Sequence, residues 1–357
     1  MAKKIKVLII DDSALIRQLL QEILTQDPAI DVVGTASDPL IAREKIKQLL
    51  PDVLTLDIEM PRMDGITFLK NLMRLRPMPV IMISTLTEAG ADVTLEALDI
   101  GAVDFIPKPK LDVSTKLQEY ADDIINKVKI ASVARVRVGG SNDIPGVDKK
   151  LSADAVLAKA AYNFHQTTEK IITIGASTGG IEAIKEVLIS MPANTPAIII
   201  SQHIPAAFSE PFARRMDGCC AMTVYEAKDG QQILPGHVYI APGSHHLLVE
   251  RSGSRYLCRL NDGAPVNRHK PSVDVMFRSV CQTVGSNAVG TILTGMGDDG
   301  ARGLKELQEV GVPTIAQDKK TSVVWGMPGE AVKMGGADFV LPLDKITGKL
   351  LELCSSG

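Results

Sequence analysis

A serine, a histidine and an aspartate stand at three places in this chain where the local sequence favours a strand running into a tight turn. Ser177 lies in Gly175-Ala176-Ser177-Thr178-Gly179-Gly180, His203 follows Ser201-Gln202, and Asp298 and Asp299 share the glycine-rich run Thr294-Gly295-Met296-Gly297-Asp298-Asp299-Gly300. A serine hydroxyl is a poor nucleophile near neutral pH. An imidazole must take its proton, and a carboxylate must hold that imidazole in the right tautomer. The three segments supply each role, and spacing does not choose between the two aspartates. Taken alone, residues 171–180 leave three readings open: an exposed nucleophile with Gly-x-Ser-x-Gly spacing, a loop cradling a phosphate at a helix N-terminus, or a strand-to-helix turn without chemistry. The phosphate reading weakens because no Gly-Lys-Ser/Thr follows and the glycines do not space as Gly-x-Gly-x-x-Gly. The chain order Ser, His, Asp also differs from that of the α/β-hydrolases, so that fold is not expected. His237, His245, His246 and His269 read as structural or surface residues, although His246, after Ala241-Pro242-Gly243, could line the crevice.

The elements that must position these groups are legible as β-rich apolar runs at 171–174, 197–201, 238–241, 288–293 and 313–316, interleaved with helical patterns such as 181–189 and 304–310. Shorter alternating runs between 232 and 259 predict a β-rich insertion. Residues 169–357 therefore read as a doubly wound α/β domain, whose parallel strands bring their C-terminal ends to one crevice.

A second constellation lies in residues 1–125. Apolar runs at 6–10, 32–36, 53–56, 80–83 and 103–106 alternate with helical spacing at 14–25, 39–49, 65–74, 87–100 and 117–128, which predicts five βα units around a parallel sheet. Asp11 and Asp12 end the first strand, Asp57 the third and Ser84 the fourth, and Lys108 follows the fifth. Three carboxylates converging on one edge repel each other, and a divalent cation, the Lys108 ammonium or protonation must relieve them. Oxygen-only ligands favour Mg²⁺, which makes Asp57 a candidate phosphoryl acceptor. Singly, an Asp-Ser pair caps a helix and Asp64-Gly65 marks a turn.

At 357 residues the chain is long for one core, so two domains are expected. Residues 126–168 break the periodicity and read as a linker, with turn formers across 135–146 and a short helix expected at 156–161. This stretch is basic on balance, whereas residues 1–125 are acidic and 169–357 near neutral. The linker could fold back on the acidic half, although a solvated tether is the simpler reading. The net charge of −3 gives no reason to expect nucleic acid as the main partner. The near-neutral output half shows no evident helix-turn-helix, which disfavours a DNA-binding regulator. The five cysteines form no C-x-x-C pair, which suits free thiols in a reducing compartment. The apolar run after Lys6 is too short for a signal peptide and no stretch approaches a membrane span, so a cytoplasmic location is expected.

The segments Val7-Leu8-Ile9-Ile10-Asp11-Asp12-Ser13, Leu54-Thr55-Leu56-Asp57-Ile58-Glu59-Met60-Pro61-Arg62-Met63-Asp64-Gly65 and Asp104-Phe105-Ile106-Pro107-Lys108-Pro109 resemble the receiver domain of two-component response regulators. The resemblance covers residues 1–125. It implies Asp57 as phosphoacceptor, Asp11, Asp12 and Asp57 with the Glu59 backbone carbonyl around Mg²⁺, and Ser84 and Lys108 as phosphoryl contacts. Phe105 stands where many receivers carry a switch tyrosine, so a switch here would work by ring packing alone. The second half, through Gly175–Gly180, Gln202-His203-Ile204-Pro205, Pro265–Asp274 and Thr294–Gly300, is similar to the CheB family of chemotaxis protein-glutamate methylesterases. The family pattern Gly-Met-Gly-x-Asp-Gly makes Asp299 the triad carboxylate, places the Met296 N–H near the oxyanion hole and sets Thr178 beside the nucleophile. The implied activity is hydrolysis of glutamate γ-methyl esters on chemoreceptor helices, with deamidation of receptor glutamines in many members and no cofactor for the ester reaction. The implied phosphodonor is a CheA-type histidine kinase, with the unphosphorylated receiver inhibiting the catalytic half. A phospho-regulated scaffold with an inactive α/β output domain is the alternative, and its mark would be a missing triad member.

Overall fold

The computed structural model describes residues 3–60, 63–85, 87–108, 117–134, 151–159 and 170–355, in two compact units, Met1–Ile144 and Pro145–Gly357.

The first unit alternates strands β1 (Ile5–Ile10), β2 (Ile30–Ala36), β3 (Val53–Asp57), β4 (Val80–Ser84) and β5 (Asp104–Pro107) with helices α1 (Ala14–Leu24), α2 (Pro39–Leu49), α3 (Gly65–Leu75), α4 (Glu88–Ile100) and α5 (Leu117–Val133). The strands form one parallel sheet in the order β2-β1-β3-β4-β5. Strands β3 and β4 are buried along their whole length because helices cover both faces, as the continuous apolar runs require. Helix starts are set by side chains that accept from otherwise orphaned amides: Ser13 from Ile16, Asp38 from Leu40 and Ile41, and Asp64 from Thr67. The Asp64-Gly65 pair is thus a helix start as well as a turn. Gly65 has a further duty, since a Cβ there would lie 2.1 Å from the Asp57 carbonyl oxygen.

The second unit holds a seven-stranded, all-parallel sheet in the order β14-β13-β12-β6-β7-β9-β8. The strands are β6 (Ile171–Ala176), β7 (Ala197–Gln202), β8 (Thr223–Glu226), β9 (His237–Ile240), β12 (Ala288–Ile292), β13 (Thr314–Gln317) and β14 (Phe339–Leu341), while β10 (His246–Ser252) and β11 (Arg255–Asn261) form a separate antiparallel hairpin. The helices are α6 (Gly180–Ile189), α7 (Ala206–Asp217), α8 (Val273–Thr283), α9 (Ala301–Glu309), α10 (Met327–Lys333) and α11 (Leu343–Ser355). Within the stretch expected to be a β-rich insertion, β9 joins the main sheet, as the apolar run at 238–241 predicts, while β10 and β11 pair with each other and residues 230–233 bond to β11. The two-residue turn of the hairpin opens with Gly253 at φ 62°, a conformation that favours glycine. The hairpin packs on α8, where the Val249 N–H donates to Ser279 Oγ at 3.0 Å.

Of the stretch expected as a linker, residues 126–134 and 151–159 are described. Residues 126–133 continue α5, whose Lys129 reaches Asp27 and whose Lys127 reaches Asp104. In place of the helix expected at 156–161, a 3-10 turn occupies Ala153–Ala155; residues 160–161 and the turn-forming run 135–146 lie outside the described residues. Residues 151–159 are tied to the second unit. Ala153 packs against Val266 and Val275, and the Asn267 N–H donates to the Leu151 carbonyl at 2.9 Å. Buried Arg278 donates to Glu306 at 2.9 and 2.6 Å, to Asp154 at 2.8 Å and to the Leu157 carbonyl at 3.0 Å. Arg278→Met would leave buried Glu306, among the described residues, with Lys159, 3.2 Å away, as its remaining cation. A loss of about 3 kcal/mol is expected, because breaking one side of a buried ion pair strands the other charge. A urea midpoint for the second unit that stays put in this variant would refute it.

Candidate active site

In the second unit the chain leaves β6 toward β7 on one side and returns through β12 on the other, so a crevice opens at the C-terminal ends of these three strands. Ser177 directly follows β6, His203 directly follows β7, and Asp299 ends the loop after β12. The loops are laced together by backbone bonds: Ser177 N–H to the Thr294 carbonyl at 3.0 Å, His203 N–H to the Ala176 carbonyl at 3.1 Å, and Leu293 N–H to the Gly175 carbonyl at 2.8 Å. Gly179, at φ 74°, turns the chain into α6 behind the serine. Gln202 adds side-chain support by donating to the Ser177 and His203 carbonyls, each at 3.0 Å.

His203 bridges the other two groups. Its Nδ1 lies 3.1 Å from Ser177 Oγ and its Nε2 lies 2.8 Å from Asp299 Oδ2. With Asp299 ionised, the consistent tautomer places the proton on Nε2, donated to Asp299, and leaves the Nδ1 lone pair facing the serine hydroxyl. Asp299 is buried, and burial alone would raise its pKa. Hydrogen bonding and charge from His203, with further help from His269 and Asn267, instead hold the carboxyl well below the usual carboxylate range.

The donor set around Asp299 explains how it is held. Oδ1 accepts from Asn267 Nδ2 at 2.8 Å, from Ser272 Oγ at 2.8 Å and from the Asp274 N–H at 3.2 Å, while Oδ2 also accepts from the Val273 N–H at 2.7 Å. Two of those donors are orphan amides opening α8, so the carboxylate sits at the positive end of that helix. His246 is fully buried, its Nδ1 accepting from the Ser272 N–H at 3.1 Å and its Nε2 donating to the Ala264 carbonyl at 3.0 Å. It does not line the crevice; it braces the residue that braces Asp299. Asp274, also buried, is pushed up to about 7 by burial and by neighbouring Asp299.

Next to the serine, a Cβ on Gly295 would come within 2.9 Å of Ser177 Cβ, so the β12 loop lies directly against the nucleophile. Among the described residues the Met296 N–H makes no hydrogen bond to the protein. Thr178 is buried, and its carbonyl accepts from Thr294 Oγ1 at 3.0 Å, tying the two loops together.

The first unit carries the second cluster. Carboxylate oxygens of Asp11, Asp12 and Asp57 lie within 4.8 Å of one another. Lys108 Nζ donates to Asp57 Oδ2 at 2.8 Å and stands 3.8 Å from Asp11 Oδ2, an atom that is buried without a hydrogen-bond partner. Burial and the Asp57 charge push the Asp11 carboxyl up to about 6, and burial also raises Asp57 against the pull of Lys108. An orphaned buried oxygen within an oxygen-only set suits a small hard cation. The Glu59 N–H donates to Asp57 Oδ1 at 3.3 Å, which turns that segment around the acceptor. Ser84 is engaged elsewhere: its hydroxyl accepts from Thr94 Oγ1 at 2.6 Å and lies 3.3 Å from the Gly90 carbonyl. The Phe105 ring is buried, with Lys127 Nζ 5.3 Å from its centroid.

Comparison with known proteins decides what these two sites belong to. The family model for CheB methylesterase matches residues 172–350, and that for the response regulator receiver domain matches residues 7–120. The chain belongs to the CheB methylesterase family. A protein of Hydrogenovibrio crunogenus named protein-glutamate methylesterase/protein-glutamine glutaminase is 62% identical over 98% of this chain and 99% of its own length. A Xanthomonas euvesicatoria protein of the same name, numbered 1, is 57% identical over 98% of this chain and 97% of its own. The crystal structure of the Thermotoga maritima CheB methylesterase catalytic domain is 39% identical, with a TM-score of 0.51, and covers 52% of this chain and 98% of that one. The receiver in this CheB-family chain implies control by phosphorylation.

Ser177, His203 and Asp299 converge, whereas Asp298 is not part of the bridge to His203. Asn267, Ser272 and Gln202 carry no signal of their own beyond lying in the runs 265–274 and 202–205, and the crevice position open to His246 gives way to a buried one. Their contacts to Asp299, Ser177 and each other span up to 32 positions, beyond any local periodicity.

Proposed function

We propose that Ser177, His203 and Asp299 form the triad by which this methylesterase hydrolyses glutamate γ-methyl esters on chemoreceptor helices. The observation that carries the reading is the unbroken path from Ser177 Oγ through His203 to Asp299, at 3.1 and 2.8 Å. Ser177 Oγ attacks the acyl carbon as His203 Nδ1 takes its proton, and Asp299 stabilises the imidazolium that results. The Met296 N–H, given to the oxyanion hole by the family pattern, would donate to the developing oxyanion; losing one such donor commonly costs about 10²–10³ in kcat. Collapse of the tetrahedral species expels methanol, protonated by His203, and leaves an acyl-serine. A water then attacks, again losing its proton to His203, and releases the glutamate carboxylate and free Ser177. With a receptor glutamine the same steps expel ammonia, which extends the reading to deamidation.

The regulatory half of the proposal rests on the acid cluster. Asp57 accepts a phosphoryl group from a CheA-type histidine kinase. The Asp11, Asp12 and Asp57 carboxylates with the Glu59 carbonyl would hold Mg²⁺, which when bound neutralises charge at the acceptor. Lys108 screens Asp57 from the same side, and the packed Phe105 ring couples the state of the site to its surroundings. The unphosphorylated receiver inhibits the catalytic unit until Asp57 is phosphorylated. A hundredfold restraint needs only about 2.7 kcal/mol of differential stability between two arrangements.

Methanol release from methylated receptors, with and without a small-molecule phosphodonor, tests this directly. Release is expected to rise about a hundredfold with the phosphodonor. EDTA should abolish that rise while leaving basal release unchanged, because the triad uses no metal. Removing residues 1–144 should raise basal release to a similar level. A truncated protein no more active than the unphosphorylated whole chain would rule out restraint by the receiver.

A further inference from the structure

His269 was expected to be structural or superficial, yet its ring lies flat against that of His203. The centroids are 3.7 Å apart and the planes only 13° from parallel. The backbone that delivers it is a tight turn in which the Val266 N–H donates to the His269 carbonyl at 3.0 Å and the His269 N–H to the Val266 carbonyl at 2.8 Å. Both residues between them, Asn267 at φ 50° and Arg268 at φ 71°, occupy the left-handed region. Two consecutive non-glycine residues there are strained, and such strain persists only where surrounding contacts over-determine it.

Those contacts are present. The Asn267 N–H is held by the Leu151 carbonyl at 2.9 Å, and its side chain by Asp274 Oδ2 at 2.7 Å and Asp299 Oδ1 at 2.8 Å. Just beyond the turn, Lys270 pairs with Asp262 at 2.7 Å. One strained turn therefore reaches the relay twice, through Asn267 at the carboxylate and through His269 on the imidazole face.

We propose that His269 is a positioning residue for the general base, its ring fixing the roll of the His203 imidazole. This inference rests on the triad reading above. The two hydrogen bonds of His203, at Nδ1 and Nε2, define little more than one axis across the ring. Rotation about that axis tilts the Nδ1 lone pair away from the serine proton and then away from the departing methanol or ammonia. These two partners resist this only weakly, since hydrogen-bond strength falls off slowly for small misalignments. A flat ring at van der Waals distance resists it directly. His269 is itself only half-buried, so its ring adds little to core burial and its loss should be felt in turnover before stability.

The test uses the full-length protein with methylated receptors and measures kcat, KM and thermal midpoint for His269→Ala and His269→Phe. His269→Ala should lower kcat by about 10- to 10²-fold, the scale of a small misalignment of a reacting group, with KM within about twofold. His269→Phe, which restores a flat face without an ionisable nitrogen, should recover kcat to within about threefold of the parent. The proposal is overturned if His269→Ala leaves kcat unchanged, if it raises KM alone, as for a substrate contact, or if His269→Phe falls as far as His269→Ala. Ser177→Ala run alongside separates the two levels. Persistent methanol release in that variant removes the triad reading itself, whereas its absence with a fully active His269→Ala removes only the role given to His269.

Discussion

Ser177→Ala is expected to abolish methanol release from methylated receptors, with a fall in kcat on the order of 10⁶, the scale seen when a triad nucleophile is removed from a serine hydrolase. Reduction rather than abolition would be expected only if a water could be activated in place, since His203 and the oxyanion donor would still be present. The variant should fold normally. What the loop needs from residue 177 is its backbone, with N–H to the Thr294 carbonyl and carbonyl to the Gly180 N–H and Gln202 Nε2, and alanine supplies both groups. Phosphorylation of Asp57 should also be intact, because that cluster belongs to the other unit. Quantifying methanol and phospho-aspartate on the same preparation checks both halves. Methanol release near the parent rate would end the assignment of Ser177 as nucleophile.

Asp299→Asn is expected to lower kcat by about 10⁴, for a reason of tautomer rather than space. Asp299 accepts at both oxygens, from His203 and the Val273 N–H at Oδ2 and from Asn267, Ser272 and the Asp274 N–H at Oδ1. An asparagine amide has one NH₂ and one oxygen, so whichever way it faces it presents a donor to donors. If the NH₂ replaces Oδ2, His203 must turn a lone pair toward it at Nε2 and carry its proton on Nδ1, where it can no longer accept from Ser177. If the NH₂ replaces Oδ1, the tautomer survives but the amide opposes the Asn267, Ser272 and Asp274 donors, a cost of about 1–3 kcal/mol that disfavours this orientation and lowers stability. A pH-rate profile and a thermal melt distinguish the two orientations. Asp299→Asn with near-parent kcat would mean that the carboxylate does not set the tautomer.

These two residues differ in how readable they were. The run Ile171-Ile172-Thr173-Ile174 followed by small residues announces a strand and a turn by local physics alone, and β6 with Ser177 at its end follows that pattern. The same holds for the five strands and helices of the receiver, where β-branched runs and 3.6-residue periodicity are local signals. Asp57 and Lys108 fall at strand ends by simple counting. The short edge strands β8 and β14, of four and three residues, carried too little pattern to be seen, and half-exposed edges lack the continuous apolar run of a central strand. Around the expected linker the local pattern is also weak: α5 continues on a charged, half-exposed face into Val133, and residues 151–159 are held by Arg278 and Asn267 rather than by any motif of their own.

From the amino-acid sequence alone follow two parallel α/β units, an acid cluster in the first, and a serine, a histidine and a pair of aspartates in the second. Hydrophobic period, turn formers and strand-end polarity act over a few residues, so they are written where they operate. Spacing left Asp298 and Asp299 open and the family pattern pointed to Asp299; the tertiary structure decided that Ser272 and Asn267 clamp it, that buried His246 braces Ser272, and that His269 covers the face of the general base. Each of those contacts joins segments that only the ordering of β6, β7 and β12 in one sheet brings together. Distance along the chain carries no information about it until the core has closed.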